Sequence, residues 1–90
     1  MDRITIIGTG LIGSSIGLAL KRLRLKDTEI VGVDLERSVS SKAKKIGAID
    51  KIDKNLINAV ADASIVFIST PVMSVKDIME IIGTRLNQGA

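Results

Sequence analysis

Residues 4–20 read ITIIGTGLIGSSIGLAL, seventeen consecutive residues without a charged side chain in a chain that is otherwise one quarter charged. A membrane-spanning helix needs about 20 continuous apolar residues, and four glycines interrupt this stretch. A secretion signal begins with net positive charge and ends at a small-residue cleavage site, whereas here Asp2 offsets Arg3 and Lys21 follows directly. The stretch therefore predicts neither a membrane span nor a signal peptide.

The same stretch divides into a strand, a turn and a helix. The β-branched run Ile4–Ile7 is typical of a strand buried on both faces, and Gly8 to Gly10 end it. From Leu11 onward the apolar residues recur with a helical period, and basic residues occupy the opposite side. The predicted inner stripe of this helix is Ile12, Ile16, Ala19, Leu20 and Leu23.

Glycines 8, 10 and 13 spell G-x-G-x-x-G at the strand-to-helix turn. Gly8 permits the tight turn, Gly10 lacks the β-carbon that would obstruct a pyrophosphate, and Gly13 lets the helix pack closely on the strand. Gly17, one turn further, extends that close packing. The free N–H groups and positive dipole of the helix terminus supply the anion site.

A second buried strand, Glu29 to Asp34, ends on a carboxylate 21 positions after Gly13. That spacing is typical of an acidic residue that accepts hydrogen bonds from an adenosine ribose and repels a 2′-phosphate. The alternative is that Asp34 caps the following helix. Arg37 favours the opposite cofactor, because a guanidinium can bind a 2′-phosphate in bidentate fashion. A charge placed at the ribose outweighs one on a mobile side chain, so the sequence predicts NAD over NADP.

The remainder of the chain continues the alternation of helices and strands. The predicted elements are a helix over Ser38–Ile46, a short strand within Ala48–Asp53, a helical turn over Asn55–Ala61, a strand over Ser64–Ser69 that Thr70 and Pro71 end, and a helix from Ser74 with Asp77 as its capping partner. Their predicted inward residues are Val39, Ala43, Ile46, Leu56, Val60, Val75, Ile78, Met79, Ile82 and Leu86.

These elements predict an α/β fold: a Rossmann-type open parallel sheet with helices on both faces, truncated relative to a complete doubly wound sheet. No repeat or linker divides residues 1–90, so we expect one dinucleotide-binding domain. Ligands of such sheets bind at the carboxyl ends of the strands, here between the first strand and the FISTPV segment at 67–72.

Composition restricts the chemistry. The chain contains no cysteine and no histidine, so disulfides, thiolate or imidazole metal ligation and histidine acid–base catalysis have no residues to use. We expect no catalytic residue and no metal site within the chain, and a cytoplasmic location. A net charge of +3 and a single phenylalanine argue against nucleic-acid binding.

The segments ITIIGTGLIGSSIGLAL, IVGVD, KIGAID and ADASIVFISTPV together resemble the amino-terminal domain of prephenate and arogenate dehydrogenases. The resemblance implies oxidative decarboxylation of prephenate to 4-hydroxyphenylpyruvate in tyrosine biosynthesis, with hydride passing to NAD, by a homodimeric enzyme. It also implies that the pyrophosphate meets Gly8, Gly10, Leu11, Ile12 and Gly13, that the ribose meets Asp34, and that the nicotinamide side is formed by Ser69, Thr70, Pro71 and Val72. The predicted cofactor-binding set further includes Thr9, Leu35 and Arg37.

The chain departs from the family in length, because the catalytic histidine, the substrate-binding arginines and the dimerisation domain of such enzymes lie beyond residue 90. We therefore expect the amino-terminal part of a longer enzyme, and no activity from these 90 residues alone. Two alternatives remain open: the cofactor domain of another dehydrogenase or imine reductase, and a non-catalytic nucleotide-sensing module.

Overall fold

Strands and helices alternate along the chain as predicted. A computed structural model describes residues 2–69, 76–80 and 83. Its elements are β1 (Asp2–Ile7), α1 (Leu11–Arg22), β2 (Thr28–Val33), α2 (Arg37–Lys45), β3 (Lys51–Ile52), α3 (Leu56–Val60) and β4 (Ile65–Ile68). Residues 76–80 are also helical. None of the helices in these ranges is long and apolar enough to cross a membrane.

The strands form one parallel sheet in the order β3-β2-β1-β4. Ile7, the last residue of β1, pairs with Val33 on one side and with Ile68 on the other, so three strands end at the same edge of the sheet. The strand order reverses between β1 and β4, and open α/β sheets bind ligands at such a switch point. The predicted Rossmann-type sheet is confirmed.

Helices cover both faces of the sheet because neighbouring residues of each strand point to opposite sides. Ile6 packs with Ala43 of α2, the Ala48–Ile49 segment and the half-buried apolar residues of α1. Ile7 packs in a separate cluster with Ala59 and Val60 of α3 and with Ile78. Helices α1 and α2 therefore lie on one face, and α3 and the 76–80 helix lie on the other.

The rotation of α1 differs from the predicted stripe. Ile16 and Leu20 are half-buried as expected, but Ile12 and Leu23 are 67% and 65% exposed and Ala19 is also exposed. The residues that α1 buries are Gly13 and Gly17. A β-carbon on Gly13 would overlap the Gly8 carbonyl, and one on Gly17 would overlap the Ala48 carbonyl. Backbone contact through glycine, rather than the large apolar side chains, sets the orientation of this helix.

Two other inward residues were predicted wrongly. Ile46 is 53% exposed because it lies at the end of α2, past the last helical residue. Met79 is 44% exposed, whereas its neighbour Ile78 is buried. Leu56 and Val60 of α3 do pack inward. The predictions for Thr70, Pro71, Ser74, Val75, Ile82 and Leu86 lie outside the described residues.

Candidate functional site

The loop between β1 and α1 begins at a glycine that the backbone requires. Gly8 has φ of +89°, in the left-handed region that residues with a β-carbon rarely adopt. Its N–H donates a 2.8 Å hydrogen bond to the carbonyl of Val33, the last residue of β2. The turn is therefore anchored to the neighbouring strand, and the predicted role of Gly8 in the tight turn is confirmed.

Gly13 brings the start of α1 against this turn. Its hypothetical β-carbon would overlap the Gly8 carbonyl oxygen and would lie 2.8 Å from Oγ of Ser69. The Ser69 hydroxyl donates to the Gly8 carbonyl at 2.5 Å, and the Ser69 N–H donates to the Ile7 carbonyl at 2.8 Å. Ser69, the residue after β4, is thus hydrogen-bonded to the glycine loop. The sequence predicted that the glycine loop and the end of this strand lie side by side. Thr70, Pro71 and Val72 lie outside the described residues.

Gly10 borders open space. Its φ of −68° lies outside the left-handed region, and a β-carbon added there would meet no atom within 4 Å. The position is exposed and precedes α1 directly. An open space that a side chain would fill at this loop fits a bound group that approaches the main chain closely.

The N-terminus of α1 directs unpaired donors into that space. Its first intrahelical bond runs from the N–H of Ser14 to the carbonyl of Gly10 at 2.8 Å. The preceding N–H groups, those of Leu11, Ile12 and Gly13, therefore have no acceptor within the helix. The first turn contains no acidic residue, and Gly10 supplies no side-chain cap. These donors and the positive end of the helix dipole make the terminus suitable for an anion.

Asp34 lies beside the glycine loop, although 21 positions separate it from Gly13 in the sequence. Its Oδ2 accepts the N–H of Thr9 at 2.8 Å, and its Oδ1 accepts the N–H of Glu36 at 3.0 Å. Each carboxylate oxygen can accept a further hydrogen bond, so the half-buried side chain keeps capacity for ligand hydroxyls. Glu36 occupies the N-cap position of α2, but its side chain makes no capping hydrogen bond.

A cleft of about 490 Å³ opens at the carboxyl ends of β1, β2 and β3. Four of the sequence-predicted residues line it: Gly8, Asp34, Leu35 and Arg37. Leu35 is 95% exposed, and Arg37 is the exposed first residue of α2. The cleft also contains three charged residues that were not predicted as site residues: Asp53, Lys54 and Asp77.

A second cavity of about 360 Å³ lies between the glycine loop and α2. Thr9, Gly10 and Leu11 line this cavity together with Ser14 and Lys42. Seven residues of the predicted set therefore line one or the other of two cavities. Ile12, Gly13 and Ser69 line neither of them.

The side chain of Thr9 makes a contact that the sequence motifs did not reveal. Its Oγ1 lies 3.0 Å from Oγ of Ser40, and both residues are 1% exposed. The only signal in the sequence is a serine beside Val39 on the inner side of α2, where an apolar residue is usual. This buried pair joins α2 to the glycine loop.

Comparison with known proteins decides the family. Residues 16–90 match the model of the prephenate dehydrogenase nucleotide-binding domain. The chain belongs to this family. This match confirms the resemblance to prephenate and arogenate dehydrogenases that the sequence segments indicated.

Relatives of this nucleotide-binding domain carry the same name. The chain is 39% identical over 71 residues to the prephenate dehydrogenase of Bacillus subtilis, a match that covers 79% of this chain and 19% of the relative. It is 38% identical over 85 residues to the prephenate dehydrogenase of Lactococcus lactis, with 93% and 23% covered. The chain thus spans about a fifth of the length of these curated relatives.

Two solved structures share the fold of the domain. A prephenate dehydrogenase from A. aeolicus, crystallised in complex with hydroxyphenyl propionate and NAD+, superposes with a TM-score of 0.87 and 27% identity, over 100% of this chain and 32% of that one. A Synechocystis arogenate dehydrogenase superposes with a TM-score of 0.83 and 27% identity, over 98% and 30%.

Proposed function

We propose that the chain is the NAD-binding part of an oxidoreductase that converts prephenate to 4-hydroxyphenylpyruvate in tyrosine biosynthesis, with arogenate as the alternative substrate. The observation that carries the proposal is the hydrogen bond between the glycine loop and Asp34 at the edge of a 490 Å³ cleft. Two relatives named prephenate dehydrogenase and a structural neighbour in complex with NAD+ support it.

The proposal assigns the two halves of the cofactor to different parts of the chain. The N–H groups of Leu11 to Gly13 bind the pyrophosphate, and the missing β-carbon of Gly10 gives it room. Asp34 accepts hydrogen bonds from the adenosine ribose, with Leu35 and Arg37 beside it. The proposal assigns Ser69, Thr70, Pro71 and Val72 to the nicotinamide side, as the family resemblance implies. Bound NAD supplies the acceptor for the substrate hydride.

We propose NAD rather than NADP as the cofactor. The Asp34 carboxylate faces the cleft and accepts donors, whereas the 2′-phosphate of NADP carries negative charge and offers acceptors. Arg37 lines the same cleft, but its side chain is exposed and starts three positions further along the chain. The charge of Asp34 is nearer to the ribose and fixed in position, so it outweighs Arg37 in the choice between NAD and NADP.

The proposal treats residues 1–90 as one dinucleotide-binding domain at the amino terminus of a longer, homodimeric, cytoplasmic enzyme, with neither nucleic acid nor membrane as a partner. The share of its relatives' length that the chain covers, between 19% and 32%, supports only the assignment to a longer enzyme. The groups that bind and decarboxylate prephenate then come from the remainder of the longer enzyme.

Titrations with parts of the cofactor test the proposal. The residues assigned here contact chiefly the adenosine and pyrophosphate, so ADP-ribose should bind to the purified protein with an affinity close to that of NADH. Nicotinamide mononucleotide should bind at least about tenfold more weakly. Equal affinity for the mononucleotide, or no binding of NADH, would contradict the assignment.

A further inference from the structure

Four residues form a closed ring of hydrogen bonds where the glycine loop meets α2. Oγ of Ser40 lies 3.0 Å from Oγ1 of Thr9, and the N–H of Thr9 donates to Oδ2 of Asp34 at 2.8 Å. Oδ1 of Asp34 accepts the N–H of Glu36 at 3.0 Å. The Glu36 carbonyl accepts the N–H of Ser40 at 3.5 Å, which completes the ring.

The ring is rigid on the side of Thr9. A β-carbon on Gly32 of β2 would lie 2.8 Å from Cγ2 of Thr9, so the threonine methyl rests directly on the strand. Ser40 holds the hydroxyl of the same side chain from the direction of α2. Both residues are 1% exposed, so bulk water cannot readily replace either hydroxyl as a partner.

We propose that Ser40 is a positioning residue for cofactor selection. By holding Thr9, it fixes the backbone N–H that orients the Asp34 carboxylate, and so it sets the preference for NAD over NADP. This inference rests on the proposed function, in which Asp34 contacts the ribose. Ser40 lies in the wall of the same cleft as Asp34 and Arg37, so the ring borders the space in which the selection takes place.

Removing the hydroxyl of Ser40 or of Thr9 should make the position of the Asp34 carboxylate less fixed. Ser40→Ala leaves the buried Thr9 hydroxyl without this partner, and the loop must shift to satisfy it. Thr9→Val breaks the same contact from the other side and keeps the N–H that Asp34 accepts. In each variant the ratio of the NADPH to the NADH dissociation constant should fall roughly three- to tenfold.

Ser41→Ala is the matched control, because Ser41 is the next residue of α2 and is exposed. The experiment titrates NADH and NADPH into the purified protein and its three variants, with circular dichroism and melting temperature recorded for each. If Ser40→Ala fails to fold, Thr9→Val carries the test. We expect a reduced ratio in both ring variants and the wild-type ratio in Ser41→Ala.

A merely structural role for Ser40 predicts a different result. The melting temperature would then fall while the ratio of dissociation constants stayed at the wild-type value, and that outcome overturns the inference. A wild-type protein that binds neither dinucleotide would instead overturn the proposed function. The two failures are therefore distinguishable in the same set of titrations.

Discussion

The N–H of Thr9 donates a 2.8 Å hydrogen bond to Oδ2 of Asp34, and this bond joins the loop after β1 to the first residue after β2. The glycine motif and the distant carboxylate are therefore in direct contact. Their spacing in the sequence corresponds to one helix and one strand, which return the chain to the same edge of the sheet. A substitution that moves the glycine loop should therefore also move the Asp34 carboxylate.

Gly10→Val should weaken cofactor binding while the fold persists. A β-carbon at residue 10 meets no other atom within 4 Å, so the protein itself has room for the side chain. The same side chain occupies the region assigned to the pyrophosphate, and the affinity for NADH should fall at least about tenfold. A titration of NADH measures the affinity, and circular dichroism shows whether the fold is retained. Loss of helical signal in step with affinity would show that Gly10 is only a turn former.

Gly13→Ala should destabilise the protein, whereas Gly10→Ala should leave its stability nearly unchanged. An alanine methyl at residue 13 overlaps the Gly8 carbonyl, so α1 must move away from the sheet, at a cost of about 1–3 kcal/mol. At residue 10 the same methyl meets nothing, and the free energy of unfolding should change by less than about 0.5 kcal/mol. Urea denaturation of the two variants gives the comparison. Similar stability for both would contradict the close contact between α1 and the loop.

The sequence predicted the strands and the glycine turn because short β-branched runs and glycine spacing are local signals. It predicted the stripe of α1 only in part: Ile16 and Leu20 pack inward, but Ile12 is exposed. Hydrophobic periodicity assigns large residues to the core, whereas this helix buries Gly13 and Gly17. The pair of Ser40 and Thr9 could not be predicted, because it depends on how α2 lies against the loop.

Asp50 ties the far edge of the sheet to the end of α1. Its carboxylate accepts the N–H of Ile30 at 2.8 Å and a hydrogen bond from Nζ of Lys21. Partial burial by itself raises the pKa of Asp50, but these two hydrogen bonds and the lysine charge outweigh it, so the pKa lies below its ordinary value of 3.8. The folded state therefore favours the ionised carboxylate.

Asp50→Asn should lower stability near neutral pH but have less effect in acid. Because the pKa is lower in the folded than in the unfolded chain, the carboxylate contributes stability above the unfolded value and loses it as pH falls through the folded value. The pair with Lys21 is partly exposed, so the effect should stay below about 1 kcal/mol. Urea denaturation of both proteins at pH 7 and about pH 3 measures it. An equal difference at the two pH values would exclude the carboxylate charge as its source.

The purified 90-residue chain should bind NADH weakly and catalyse no oxidation of prephenate. The assigned residues contact the adenosine and pyrophosphate, while the chain contains no histidine to act as acid or base. A steady-state assay with prephenate and NAD, followed by the absorbance of NADH, provides the measurement. Specific turnover by these residues alone would contradict their assignment as one part of a longer enzyme.

The most direct test of the account is a pair of titrations, with NADH and with NADPH, on the wild-type protein and on Asp34→Ser. Wild type should bind NADH more tightly. The variant removes the charge beside the ribose and lets Arg37 bind the 2′-phosphate, so the preference should move toward NADPH by about tenfold or more, equivalent to roughly 1.4 kcal/mol. A wild type that already favours NADPH, or a variant with an unchanged ratio, would contradict the claim that Asp34 selects the cofactor.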